Sequence, residues 1–459
     1  LIFAFLSFYL SSVHASVEIR SNKLTTGDGL ANNSIRYMFQ DSKGFMWMGT
    51  VNGLSYYDGN SFVSIYPDPN LPISLADPRI RNMEEDSNGF LWIATLSSLY
   101  SCYDLKHGRF VDFTGCGEYK QSYSKKIIAS DQSIWLWDNN NGCRRVVYQD
   151  GQFSSQAYKK ELGNLSSDKV LFVYESNDSP GHVWIGTKQG LWKYHDGKLE
   201  AMDTQGESWE HIFSYDQYTC IITGKKEIYR HSLSNNRLEK IASLTELGDT
   251  GVITGSLRLQ HQWVMFTATG SYILDPVTGK LRRFSRLNIK NGNVTRDNKG
   301  NAWVHNYTGN VWYVNTSTGD IKHFQFLSSE HLGYIDVERY SIIHDSRDII
   351  WITTYGNGLF AYDLNTGDLQ HFTFEVSHSS HINSNYLQYI IEDRSGGIWV
   401  SSEFSGLSHL EILNKGTLRI YPNGEDASDR SNTIRMLLRG KNGNVYMACL
   451  LYTSPSPRD

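Results

Sequence analysis

The 459-residue chain has only five cysteines, Cys102, Cys116, Cys143, Cys220 and Cys449, and no Cys-x-x-Cys pair, which argues against a zinc site. Beyond its first residues, no stretch approaches the ~18 apolar residues that a membrane-spanning helix needs. Neither sign of charge dominates. The 43 basic and 48 acidic residues give a net charge of −5 without a basic patch, so nucleic acid is not an expected partner. No phosphate-binding loop, His-Glu-x-x-His or Gly-x-Ser-x-Gly motif occurs, and the reading expects no catalytic residue, no metal ligand and no cofactor. Gly27-Asp28-Gly29 and Gly356-Asn357-Gly358 read as turns, and His378 with His381 as part of a Ser-rich connector. Glu84 and Glu85 point to opposite faces of a strand and read as a solvated edge rather than a glycosidase pair.

What the chain does contain is a repeated spacing. An Asp stands six residues before a Trp six times: Asp41 before Trp47, Asp86 before Trp92, Asp178 before Trp184, Asp297 before Trp303, Asp345 before Trp351 and Asp393 before Trp399. Five of these units also carry a Gly three residues after the Asp: Gly44, Gly89, Gly181, Gly300 and Gly396. An interval of roughly 40–50 residues suits a four-stranded blade. In the first unit, Ser34 to Gln40, Phe45 to Thr50, Leu54 to Tyr57 and Ser61 to Ile65 read as strands, and Asn52-Gly53 and Asp58-Gly59 as tight turns. Weaker units surround Trp135 and Trp137 (with Asp131 ambiguous between them), Cys220 to Ile222, Trp263 to Phe266 and Val445 to Met447.

The expected fold is all-β. About ten units can be counted, seven before residue 330 and three after it. This predicts a seven-bladed β-propeller of four-stranded antiparallel blades over 16–330, then about three blades of a second, incomplete propeller over 331–449, with a linker near Phe324 to Gly333. One eight-bladed ring plus leftovers is the alternative. The repeated Trp residues are expected between blades, burying some 150–250 Å² each. The repeated Asp is expected to accept turn amides two or three residues on, with the Gly relieving strain there.

The ends read differently. Residue 1 is Leu, and the apolar run Leu1 to Leu10 followed by Ser11 to Ser16 reads as a signal-peptide remnant cleaved after Ala15 (a buried first strand is the alternative). Export permits disulfides, and Cys102 with Cys116 is conceivable, as is simple burial of both. Residues 450–459, with two prolines where a hairpin turn is due, look non-native.

Loops between blades converge over the channel of a propeller and are the usual binding positions. Asn33, Arg36, Arg79, Arg81 and Tyr386 lie in them and are the ligand-binding candidates, because an aromatic face and planar hydrogen-bonding groups suit ligand binding and Arg suits an acidic one.

The wording of the units resembles the two-component regulator propeller repeat: Gly29-Leu30-Ala31-Asn32-Asn33-Ser34-Ile35, Gln40 to Thr50, and Asn52-Gly53-Leu54 in the first, with echoes at Val183 to Thr187 and Ile390 to Val400. The resemblance implies the periplasmic sensor region of a Bacteroidetes-type hybrid two-component histidine kinase. It further implies an oligosaccharide ligand, a homodimer in the full-length parent, and membrane attachment only through regions C-terminal to this chain. A propeller lyase or hydrolase and a protein-interaction scaffold are the competing readings.

Overall fold

In the computed structural model the described residues are 17–413, except 115–122, 177–178, 204–207, 217–218, 225–226, 233–235, 250–251, 298, 307–309, 327–340 and 376–380, together with 434–439 and 445–449. Residues 1–15, read above as a signal-peptide remnant, together with Asp178, Cys116 and residues 450–459, therefore lie outside them.

Among the described residues, nine four-stranded antiparallel sheets follow one another from Ile35 to Leu413. In the first, strands Ile35–Gln40, Met46–Thr50, Leu54–Tyr57 and Phe62–Ile65 are each within one residue of the reading from sequence. The expected division into seven blades and the start of a second ring is corrected. The ninth sheet takes its fourth strand from the N-terminus, where Glu18–Leu24 pairs beside Leu407–Leu413. Nine apolar clusters each join one blade to the next, including one that ties Trp399 and Leu407 of the ninth blade to Ile35, Met38 and Met48 of the first. An open row of nine sheets would have eight such interfaces, so nine interfaces mean a closed ring. Nor do the sheets separate near residue 330. The Phe326 and Phe360 rings meet at 4.7 Å, and one cluster runs from Trp303 to Tyr362. The described residues up to Ile412 form one compact unit, and a second, from Leu413 on, includes the hairpin Ile434–Arg439 with Val445–Cys449.

The Asp–Trp spacing has a concrete cause. In the first blade Asp41 Oδ1 accepts the amides of Lys43 and Phe45, at 3.0 and 2.9 Å, and Oδ2 accepts the Trp47 indole N–H at 2.8 Å. The expected amide pattern is corrected here: the carboxylate ties the turn through residues two and four on, rather than two and three. It also satisfies the polar atom of a ring that is 1% exposed.

Three other units repeat the bond. Trp92 donates to Asp86 at 2.8 Å, Trp351 to Asp345 at 2.9 Å and Trp399 to Asp393 at 2.7 Å. Trp92 is fully buried between the second and third blades, packed among Cys102, Phe113, Ile134 and Leu136. It therefore sits in the inter-blade core, away from the residues that line the cavities. Trp184 and Trp303 are equally buried, but Asp297 turns to the Asn301 side chain instead, and the Trp303 N–H has no partner among the described residues. Trp135 is the repeat Trp of the third blade. Ala129 stands six residues before it in the Asp place, and its indole N–H is likewise unpartnered among the described residues.

The Gly after the Asp is needed for a left-handed turn residue, with φ of 94° at Gly44. Where the eighth blade has no Gly, Asp348 takes that conformation at φ 67°. Gly49 has a different reason: a Cβ there would stand 2.5 Å from the Ile80 side chain of the next blade.

Neighbouring blades are also tied by hydrogen bonds at the turns. The Glu preceding one repeat Asp receives the N–H and hydroxyl of the Ser that follows the Asp one blade back: Glu85 from Ser42 at 2.5 and 2.6 Å, and Glu392 from the Ser346 hydroxyl at 2.5 Å. Glu84 pairs with Lys126 of the third blade. Glu84 and Glu85 do lie on the edge strand of their sheet, exposed and partly exposed, and both also link blades. At the closing seam Arg394 donates to the carbonyls of Ser42 and Asp41 at 2.9 and 2.7 Å. Cys102, Cys143 and Cys220 are buried.

Two buried histidines should make the ring acid-sensitive. Burial alone pushes the His305 imidazole down to about 4, and burial, helped by Lys193, does the same at His231. Above pH ~7 both are neutral in either state and contribute no pH dependence. Between their ordinary value of 6.5 and about 4 the unfolded chain binds more protons, so stability falls as pH is lowered, and the loss is complete below the folded value. Denaturant titrations at pH 7.5 and 5 should show a loss of roughly 1–2 kcal/mol per histidine. His305→Gln should flatten that slope, and an unchanged slope would assign the effect elsewhere.

Candidate functional site

Three of the five candidate residues meet in one cavity. It has a volume of about 450 Å³, and Arg36, Arg79 and Arg81 contribute to its lining. Its walls come from the innermost strands of four consecutive blades across the closing seam. Ser341 belongs to the eighth blade, Gln388 and Tyr389 to the ninth, Tyr37 to the first and Ile80 to the second. Val51 and the exposed Leu96, each just after the second strand of its blade, complete the rim.

Local irregularities aim these side chains. The strand register slips between Ile35 and Tyr37, between Ile80 and Asn82, and between Leu387 and Ile390. The residues left over at these bulges are Arg36, Arg81, Gln388 and Tyr389. A bulge leaves its extra residue unpaired and redirects its side chain, and bulges gather at functional rims. Asn33 and Tyr386 are placed elsewhere. The Asn33 side chain accepts the Thr26 amide at 2.8 Å and its carbonyl accepts the Gly406 amide at 2.9 Å, so it organises a connector. Tyr386 is half exposed and packs edge-on against Tyr355, with ring centroids 5.1 Å apart.

A second cavity of about 430 Å³ adjoins the first and shares Tyr37 and Arg81 with it. Glu84, Lys125 and Lys126 face it. The charges are unequally compensated. Arg79 grips Asp77 through Nε and Nη2, at 3.0 and 2.9 Å, and Arg36 lies 3.6 Å from Glu403. Arg81 donates to the Ser124 carbonyl and has no carboxylate partner among the described residues. Burial, and then the nearby Arg81 charge, hold the Lys125 ammonium below its ordinary range. The Tyr37 and Tyr389 rings lie 4.7 Å apart at the floor. Burial raises both phenols, so they stay protonated donors. The Gln388 Nε2 amide is buried without a partner among the described residues. Tyr37, Gln388, Tyr389, Lys125 and Lys126 were not singled out from sequence, because strand position two carries no motif and the bulges are invisible in the repeat spacing.

Among the described residues no group of three or more His, Cys, Asp or Glu side chains could hold a metal ion, and no helix is long and apolar enough to cross a membrane.

The two-component regulator propeller family matches residues 29–52 and 74–97, the segments that run into the first strands of the first and second blades and through their repeat Trp. The chain carries two-component regulator propeller repeats. Arg36, Arg79 and Arg81 lie within those two matched repeats. A structure described as the extracellular domain of a hybrid two-component system from B. thetaiotaomicron is 17% identical over 95% of this chain and 64% of its own, with a TM-score of 0.40. A second such domain from the same organism is 19% identical over 94% and 70%, with a TM-score of 0.31. The Dos1 propeller is 10% identical over 85% and 94%, with a TM-score of 0.50, a likeness of fold. The chain thus spans less than two thirds of the first of these. No curated protein matches it.

Proposed function

We propose that this chain is a ligand-sensing segment of a hybrid two-component sensor, exported to the periplasm, that detects an oligosaccharide released from a polysaccharide and signals to a histidine kinase carried elsewhere in its parent. The observation that carries the reading is the coincidence of regulator propeller repeats with a cavity at the inner strands whose walls combine tyrosine faces and arginine forks. Aromatic faces stack on sugar rings, and guanidinium groups grip their polar edges. The cavity draws its walls from four blades that straddle the closing seam, so a bound ligand would favour one arrangement of the seam over another, which a sensor requires. Among the described residues its lining contains no carboxylate pair of the kind general acid–base hydrolysis needs.

Calorimetric titration of the chain with a panel of neutral and acidic di- to hexasaccharides tests the reading. Saturable binding by at least one class is expected. No heat across both classes would overturn direct sugar sensing. Release of reducing ends from any panel member would instead favour an enzyme.

A further inference from the structure

The two adjoining cavities specify the charge of what binds. Together they bring Arg36, Arg79, Arg81, Lys125 and Lys126 around a shared wall, against Glu84, the one lining carboxylate among the described residues. That carboxylate is taken by Lys126, whose side chain is 5% exposed. Arg79 and Arg36 have acidic neighbours outside the lining. Arg81 has none among the described residues and stands where the two cavities meet. Like charges brought together at a partly buried place cost free energy unless an anion joins them. The chain holds Arg36 and Arg81 there by bulges in two separate blades, so the crowding is built twice.

Resting on the oligosaccharide reading above, we infer that this double cavity is an anion-selecting site for an oligosaccharide bearing a carboxylate or sulfate group. The Arg81 guanidinium meets the oxyanion, the Gln388 amide donates beside it, and the Tyr37 and Tyr389 pair faces a sugar ring. Arg81 is the discriminating residue, because among the described residues it alone lines both cavities as a cation without a carboxylate partner. It is exposed, and its replacement removes no packed core atom.

The test uses the whole chain in calorimetry with four probes: a galacturonate trimer, a sulfated disaccharide, the neutral galactose trimer and inorganic sulfate. Either anionic sugar should bind about tenfold or more tightly than the neutral trimer, and Arg81→Gln should remove most of that difference while leaving the unfolding transition in place. Which of the two anionic sugars binds tells the source of the charge. Equal binding of neutral and anionic sugars, or no effect of Arg81→Gln (with Arg36→Gln as the second variant), would overturn the anion selection and leave oligosaccharide sensing standing. Inorganic sulfate binding as tightly as the anionic sugars would overturn the sugar part. Silence from all four would overturn the site.

Discussion

Trp351→Ala should destabilise the chain by about 3–5 kcal/mol, the largest loss expected from a single substitution. The ring is fully buried at the interface of the eighth and ninth blades, among Leu359, Ile390, Ile398, Val400 and Leu410. Its removal empties a space that two sheets, each held by its own ladder, cannot close. The indole also donates to Asp345 at 2.9 Å. Trp351→Phe isolates that bond and should cost about 1–2 kcal/mol. Trp303 supplies the control, because its N–H has no partner among the described residues, and Trp303→Phe should cost less. Urea denaturation of the three variants measures this. Equal losses for the two Phe variants would show that the Asp–indole bond contributes nothing to stability.

Removal of residues 17–24 should have a comparable effect by another route. This segment is the outer strand of the ninth blade. Ile19 is 7% exposed in the cluster between the eighth and ninth blades, Leu24 packs on the one between the ninth and first, and the Val17 amide donates to the Gln370 side chain of the eighth blade at 2.8 Å. Losing Ile19 alone costs about 2–5 kcal/mol, and the bared edge of Leu407–Leu413 loses its ladder partner as well. A drop in the thermal midpoint is expected, partly reversed by adding a peptide of residues 17–24, since an extended segment can rejoin an open sheet edge. A midpoint unchanged by the deletion would mean that the ring is closed elsewhere.

These two cases show where reading the sequence succeeded and where it stopped. The fixed Asp-to-Trp distance revealed the hairpins, and Ala129 with Trp135 shows that the distance outlasts loss of the Asp itself. Of the three arginines read as connector residues, Arg79 stands before a first strand, while Arg36 and Arg81 lie within one, at its bulge. Their convergence with Gln388 and Tyr389 was not recognisable, because it depends on bulges in three different blades and on which blades become neighbours.

By itself the sequence determined the blade: four strands, a tight turn held by a carboxylate, and a large ring to bury against the next sheet. Each of these is a local interaction, written within one repeat or between adjacent ones. Only the tertiary structure decided how many blades make the ring, since that depends on the small rotation accumulated from sheet to sheet and on the distant strand Glu18–Leu24 finding its edge. The same closure brings the eighth and ninth blades beside the first and second, and so gathers groups more than 300 residues apart in the chain, such as Arg36 and Gln388, into one cavity.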